Sequence, residues 1–248
     1  FGLDMVTQSM QVQRGLGSSK LSIPAVGGTI NILTKGIESK KQVRIKQEVG
    51  NDDFLRTSIG FNSGRLKNGF GVSCAFSYKE GDGWVDGNFT KGYFYYLKLE
   101  KQLGNHLLSL SGFGAPQEHG QRSFKVSMPT IDTSFAKRNG VPSEFLYIEN
   151  ELGLNRGLRY NQHTGIRNGE IFNTRQNQYH KPQITFRHSW QANNDLFISN
   201  VAYMSIGRGG GIRQDGDNWG RYRIDSSGVF DIDSVIADNQ VINFARTD

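Results

Sequence analysis

Cysteine occurs once in 248 residues, at Cys74, so no disulfide scaffold holds this chain. Proline is scarce as well, with 5 residues. No apolar run approaches the ~18–20 residues of a membrane-crossing helix; the longest candidate is Tyr93-Phe94-Tyr95-Tyr96-Leu97. Hydrophobic residues make up 36%, below the usual ~45–50%. Net charge is +6 and spread along the chain, which describes a mildly basic solvated surface and no nucleic-acid partner. Enzymatic patterns are missing too. There is no G-x-x-x-x-G-K loop and no G-x-S-x-G elbow, and Gly15-Leu16-Gly17-Ser18-Ser19-Lys20 fails the dinucleotide pattern at its third glycine. His106, His119, His163, His180 and His188 are scattered without metal-ligand spacing. The expectation is no catalytic residue, no metal site and no cofactor.

What is abundant is glycine, 31 residues, together with 16 Phe, 9 Tyr and 3 Trp. Such an aromatic load argues against disorder. From residue 41 the chain alternates with period two. In 69–80, Phe70, Val72, Cys74, Phe76 and Tyr78 oppose Gly71, Ser73, Ala75, Ser77 and Lys79. Further strands are predicted at 41–49, 54–64, 93–100, 106–115, 182–190 and 196–207. These lengths approach the ~9–11 tilted residues that cross a bilayer, and the second face is small and polar rather than charged. From the second strand on, short connections (65–68, 103–105, 191–195) alternate with long ones (81–90, 117–179, 208–248). Outer-membrane barrels have this asymmetry, with short periplasmic turns and long extracellular loops. The expected fold is therefore all-β, about seven strands of a transmembrane antiparallel barrel. An open row of that size leaves edges that lipid does not tolerate, so more barrel is expected outside this sequence. Phe1-Gly2-Leu3-Asp4 shows no basic or apolar leader, which reads as an internal piece of a longer protein.

The first 36 residues lack the alternation. Val12-Gln13-Arg14-Gly15, Ser18-Ser19 and Gly27-Gly28-Thr29-Ile30-Asn31-Ile32-Leu33-Thr34-Lys35 resemble the end of the plug domain of TonB-dependent outer-membrane receptors. Leu16 and Ile23-Pro24 depart from that family's usual pattern. Asp82-Gly83-Trp84, Tyr179-His180-Lys181-Pro182-Gln183, His188-Ser189-Trp190 and Gly207-Arg208-Gly209-Gly210-Gly211 resemble Bacteroidetes-type members. The resemblance implies the last part of a plug over 1–36, then the first strands of a barrel of about 22 over 37–248. It implies a Gram-negative outer-membrane location and import of a ferric siderophore, haem, cobalamin or oligosaccharide. The energy would come from a TonB complex acting through a segment not in this chain. Passive or adhesive barrels, and a soluble carbohydrate-binding β-sandwich, are the competing readings.

On this reading Arg14, Gly15, Gly27, Gly28 and Asn31 form the plug motif. Arg14 would need a carboxylate partner inside a lumen, because a buried unpaired guanidinium is costly. Trp84, Arg156, Arg159 and Trp219 are ligand-binding candidates in predicted outer loops; the alternative is that they pin those loops. Arg156, Arg159, Arg167 and Arg175 could also meet lipopolysaccharide phosphates, and lipid is the expected neighbour of the apolar face. Tyr78, Trp84, Tyr93, Trp190 and Tyr203 fall near predicted strand ends and are read mostly as interfacial anchors. Asp215-Gly216-Asp217 and Asp231-Ile232-Asp233 fail the EF-hand spacing, which leaves solvated loops or a loop calcium site.

Overall fold

A computed structural model describes residues 2–15, 27–36, 40–122, 127–146, 156–214 and 229–245. It begins with a single helical turn, α1 (Leu3–Val6), followed by β1 (Thr7–Arg14) and β2 (Gly28–Thr34), which pair as an antiparallel hairpin. Next come β3 (Gln42–Val49), β4 (Leu55–Asn62), β5 (Phe70–Asp82), β6 (Phe89–Leu103) and β7 (His106–Gly114). An outer excursion carries β8 (Gln117–Gly120), α2 (Met128–Ile131), α3 (Thr133–Arg138), β9 (Thr164–Arg167), β10 (Glu170–Asn173) and β11 (Gln176–His180). The chain re-enters the sheet as β12 (Gln183–Gln191) and β13 (Phe197–Ser205), then forms β14 (Arg208–Ile212), β15 (Phe230–Asp231) and α4 (Ile232–Ala245).

The seven alternating segments become β3–β7, β12 and β13, hydrogen-bonded in sequence order as one antiparallel meander. Its edges are β3 and β13, and it is open among the described residues. Period two decides which face each side chain takes. Gly71, Ser73, Ala75 and Ser77 of β5 are buried on the concave side, while Phe70 and Phe76 are exposed on the other. The outward face runs in register across strands: Leu99, Leu110, Phe186 and Ala202 form one row, and Leu97, Gly112, Ile184 and Met204 the next. No described helix is long and apolar enough to cross a membrane.

Three strands alternate less cleanly than the others, and packing explains each. Phe94 and Tyr96 of β6 point inward because they form a buried cluster with Met5, Val6 and Ala75. Phe113 of β7 packs against that cluster, and Leu107 of β7 with Val201 and Tyr203 of β13 line an inner cleft. Tyr203 therefore faces the inner cleft, whereas Tyr78 and Tyr93 face outward, with rings 4.9 Å apart.

The segments read as outer loops hold more structure than expected. β8, β11 and β14 extend the meander: β8 pairs with β6 and β11, and β11 pairs with β14. Tyr179 pairs with Gln117 as Gln183 pairs with Phe113, so register survives the interruption around Pro116 and Pro182. Proline removes a ladder donor there without shifting the strands. Over 229–245, Asp231 accepts from the Ser234 amide (3.0 Å) and hydroxyl (2.6 Å) and so caps α4. Those hydrogen bonds, the hydroxyl's foremost, hold the Asp231 carboxyl below its usual range. Asp233 accepts from the Asn168 amide at 2.8 Å. Both carboxylates that suggested a calcium loop are structural there, and the Asp-x-x-Ser cap was the overlooked signal.

Candidate functional site

The hairpin β1–β2 and the turn α1 sit against the concave face of the meander, and two polar junctions attach them. At the first, Asp4 of α1 pairs with Arg56 of β4 and with Lys46 of β3 (3.2 Å). Glu48 closes the network, 3.0 Å from Arg56 and 2.9 Å from Lys46. Burial alone would raise the Asp4 carboxyl, but hydrogen bonds from Arg56 and Lys46, with their charge, hold it below the ordinary value. At the second, Lys98 of β6 donates to the Lys35 carbonyl (3.1 Å) and pairs with Glu100 (3.0 Å). The Lys35 ammonium reaches the Met5 carbonyl at 3.3 Å; burial, then the Arg44 charge, pulls it below its usual pKa.

A cleft of about 680 Å³ lies between this hairpin and the wall. Asn31 and Thr34 contribute from the hairpin, and Lys98, Ser111, Thr185 and Arg187 from β6, β7 and β12. Its lining mixes these amides, hydroxyls and charges with Ile32, Leu107, Phe113, Val201 and Tyr203.

Beyond the membrane strands, residues 82–89 are clamped to 156–176 by two buried asparagines. The Asn161 amide donates to the Asp86 carbonyl and to Asn88 Oδ1, both at 3.1 Å, while its oxygen receives the His163 amide at 3.0 Å. Asn173 repeats the arrangement, donating to the Gly87 carbonyl and Asn88 Oδ1 at 3.0 Å and receiving the Arg175 amide at 2.7 Å. His163 meets Gln214 at 3.0 Å; burial, with a smaller contribution from the Arg175 charge, lowers its pKa against the raising effect of the Gln214 hydrogen bond. Sequence reading overlooked these asparagines, since an exposed loop Asn and a buried clamp look alike in one chain.

The sequence-derived candidates fall in several places. Arg14 is exposed, and its backbone pairs with Gly28; among the described residues no carboxylate meets it. The ionic tie between hairpin and wall has the opposite polarity, with the acid on the hairpin at Asp4. Gly15 and Gly28 have positive φ, and a side chain at Gly28 would collide with the Gln13 carbonyl; Gly27 has open space around it. The Asn31 amide donates to Gln11 at 3.1 Å. Arg156 donates to the Tyr160 hydroxyl (2.7 Å) and covers its ring, and Arg159 pairs with Asp52 at 2.9 Å. Trp84 is 52% exposed at the outer rim. Trp219, Tyr147 and Asp215-Gly216-Asp217 lie outside the described residues. Those residues contain no cluster of three or more His, Cys, Asp or Glu able to hold a metal.

The meander with its inner hairpin shares the fold of a segment of TonB-dependent outer-membrane receptors, as its likeness to solved structures shows. Among solved structures, the closed form of the ferric-catecholate import receptor Fiu from E. coli K12 matches 84% of the chain at 14% identity and TM-score 0.62. The siderophore receptor PiuA from Acinetobacter baumannii matches 83% at 15% identity, TM-score 0.58. The ferripyoverdine receptor of the Pseudomonas aeruginosa outer membrane matches 75% at 13% identity, TM-score 0.55. The chain spans 27%, 26% and 22% of those proteins' lengths. Neither protein-family models nor curated protein sequences yield a match.

Proposed function

We propose that this chain is the plug-to-barrel junction of a receptor that imports a ferric siderophore across a Gram-negative outer membrane, energised through TonB. Residues 1–36 close the plug and 37–248 open the barrel. The observation that carries the reading is the hairpin β1–β2 held on the polar side of a membrane-length meander by Asp4, Arg56 and Lys98. A passive pore has no use for a separate element tied across its lumen. The three matched structures named for ferric or siderophore cargo support the substrate class.

Binding and gating are the whole of the chemistry. Cargo is held between the plug apices and outer loops, where Trp84, Arg156, Arg159 and Trp219 are the candidates, while Arg14, Gly15, Gly27, Gly28 and Asn31 form the structural and gating motif of the plug. A pull on the plug separates hydrogen bonds and ion pairs at the two junctions, whose hydrated groups re-form them afterwards. Lipopolysaccharide and lipid surround the outer face, and the Bacteroidetes-type subgroup rests on the motifs at 82–84, 179–183, 188–190 and 207–211. The test is uptake of iron-55 siderophores by cells carrying the full-length receptor as their sole such receptor. Uptake should collapse when a protonophore is added. Uptake indifferent to the protonophore, or absent for every ferric siderophore class, would overturn the proposal.

A further inference from the structure

Five cations meet three carboxylates around the two junctions, and the surplus charge collects in one place. Asp4 and Glu48 are taken up by Arg56 and Lys46, and Glu100 by Lys98. Lys35, directly after β2, and Arg44 of β3 are left over. The Lys35 ammonium has only the Met5 carbonyl, at 3.3 Å, and Arg44 has neither a hydrogen bond nor an ion pair among the described residues.

Both residues line one small cavity between α1 and the wall, together with Met5, Gln42, Gly60 and Tyr96. Its volume is about 20 Å³, which holds one occupant the size of a water molecule. No carboxylate lines it. The two cations are near enough for the Arg44 charge to disfavour the charged form of Lys35, in addition to burial. The Tyr96 hydroxyl is buried and unpaired, with Thr34 close but outside hydrogen-bond reach. Ammonium, guanidinium and phenol all donate, and a guanidinium withdrawn from water without an acceptor is costly.

An acceptor that completes this lining must be negative, compact and free of an attached chain. Tetrahedral oxyanions such as phosphate and sulfate are too large for the volume, whereas a chloride ion is only slightly larger than water. We propose that Lys35 and Arg44 form a chloride site that bridges the end of the hairpin to β3. One half of the site belongs to the hairpin and the other to the wall. Separating the two releases the ion, and reseating the hairpin recaptures one from solution. The site does not depend on which cargo is carried.

The test has two arms, both on the full-length receptor. Crystals grown with bromide in place of chloride should give an anomalous-scattering peak between Lys35 and Arg44, which Arg44→Met should abolish. In solution, exchange of the Lys35 amide, which donates to the Val6 carbonyl at 2.9 Å, reports opening of the junction. Chloride in place of gluconate at equal ionic strength should slow that exchange about fivefold once chloride is about four times its dissociation constant. Arg44→Met and Lys35→Met, each compared with itself in the two salts, should lose the difference, and Lys67→Met, in the turn 65–68, should keep it. Lys35→Met carries the test if Arg44→Met does not fold. Equal wild-type exchange in the two salts would overturn the site, even with a bromide peak, since that is binding at crystal concentration only. A salt difference that survives both substitutions, or a carboxylate of the receptor itself in the cavity, would overturn it too. Protonophore-insensitive uptake with halide-sensitive exchange ends the import proposal and leaves this site standing.

Discussion

At Asp4 two influences of opposite sign meet. Burial pushes its carboxyl up, and the hydrogen bonds and charges of Arg56 and Lys46 push it down further than that. The folded pKa is depressed, so its contribution is complete above the unfolded value near ~3.9 and fades as pH falls through the folded value. The hairpin's seat should therefore be unchanged from neutral pH to about 4.5 and loosen only below that. Asp4→Asn should loosen it at neutral pH, by about 0.5–1 kcal/mol once solvent screening of this half-exposed carboxylate is allowed for, and should remove the further loosening on acidification. Amide hydrogen exchange over residues 3–14 in the full-length receptor reads both effects; a neutral-pH rate identical to wild type would remove Asp4 from the junction. Asn161 is the sharper case because it is buried. Asn161→Ala strands the His163 amide, at about 1–3 kcal/mol, and leaves the Asp86 carbonyl with the Thr164 hydroxyl alone. Limited trypsin digestion should then cut at Arg159 and Arg167 faster while the membrane strands stay intact.

At the scale of elements, the hairpin β1–β2 depends on one glycine of the Gly27-Gly28 pair. Gly28 sits at φ 120°, and any Cβ there meets the Gln13 carbonyl, so Gly28→Ala should weaken the pairing of Arg14 with Gly28 by about 1–3 kcal/mol. Gly27→Ala has open space and should be silent. Exchange of the Gln13 and Arg14 amides distinguishes the two. The membrane strands were legible because lipid on one side and a polar lumen on the other impose period two on every residue between. That signal faded where a second partner entered: Phe94 and Tyr96 turn inward to meet Met5 and Val6, a contact made across some ninety residues of chain. The outer excursion was opaque for another reason. Beyond the bilayer nothing enforces a lipid-facing row, so β8, β11 and β14 carry polar residues and glycine on both faces and read as loop. Of the site candidates, motif spacing located the hairpin, but the charged partner across the lumen was visible only in the fold, where Asp4 rather than Arg14 reaches the wall.

The whole molecule is organised by an inversion of the usual core. Its inward face carries Arg56, Lys98, Glu100 and the serines of β5, all substantially buried, while Leu97, Leu110, Ile184 and Phe186 face outward. In water such an outer face would be an adhesive patch; against hydrocarbon it is the stable arrangement, because every ladder hydrogen bond within the sheet is already made. This inversion can be tested by a matched pair of substitutions on facing sides of adjacent strands. Phe186 and Ser111 lie on β12 and β7, one in the middle outward row and the other lining the inner cleft. Phe186→Arg puts a guanidinium at the depth where lipid is least polar and should cost about 2–4 kcal/mol. Ser111→Arg places the same group in a cleft already lined by Lys98, Glu100 and Arg187, and should cost within about 1 kcal/mol, as substitutions away from packed features do. Guanidinium titration of the full-length receptor in short-chain lipid vesicles measures both. A soluble sandwich would reverse the order, since its outward Phe186 would be the tolerant site and its inward Ser111 the costly one.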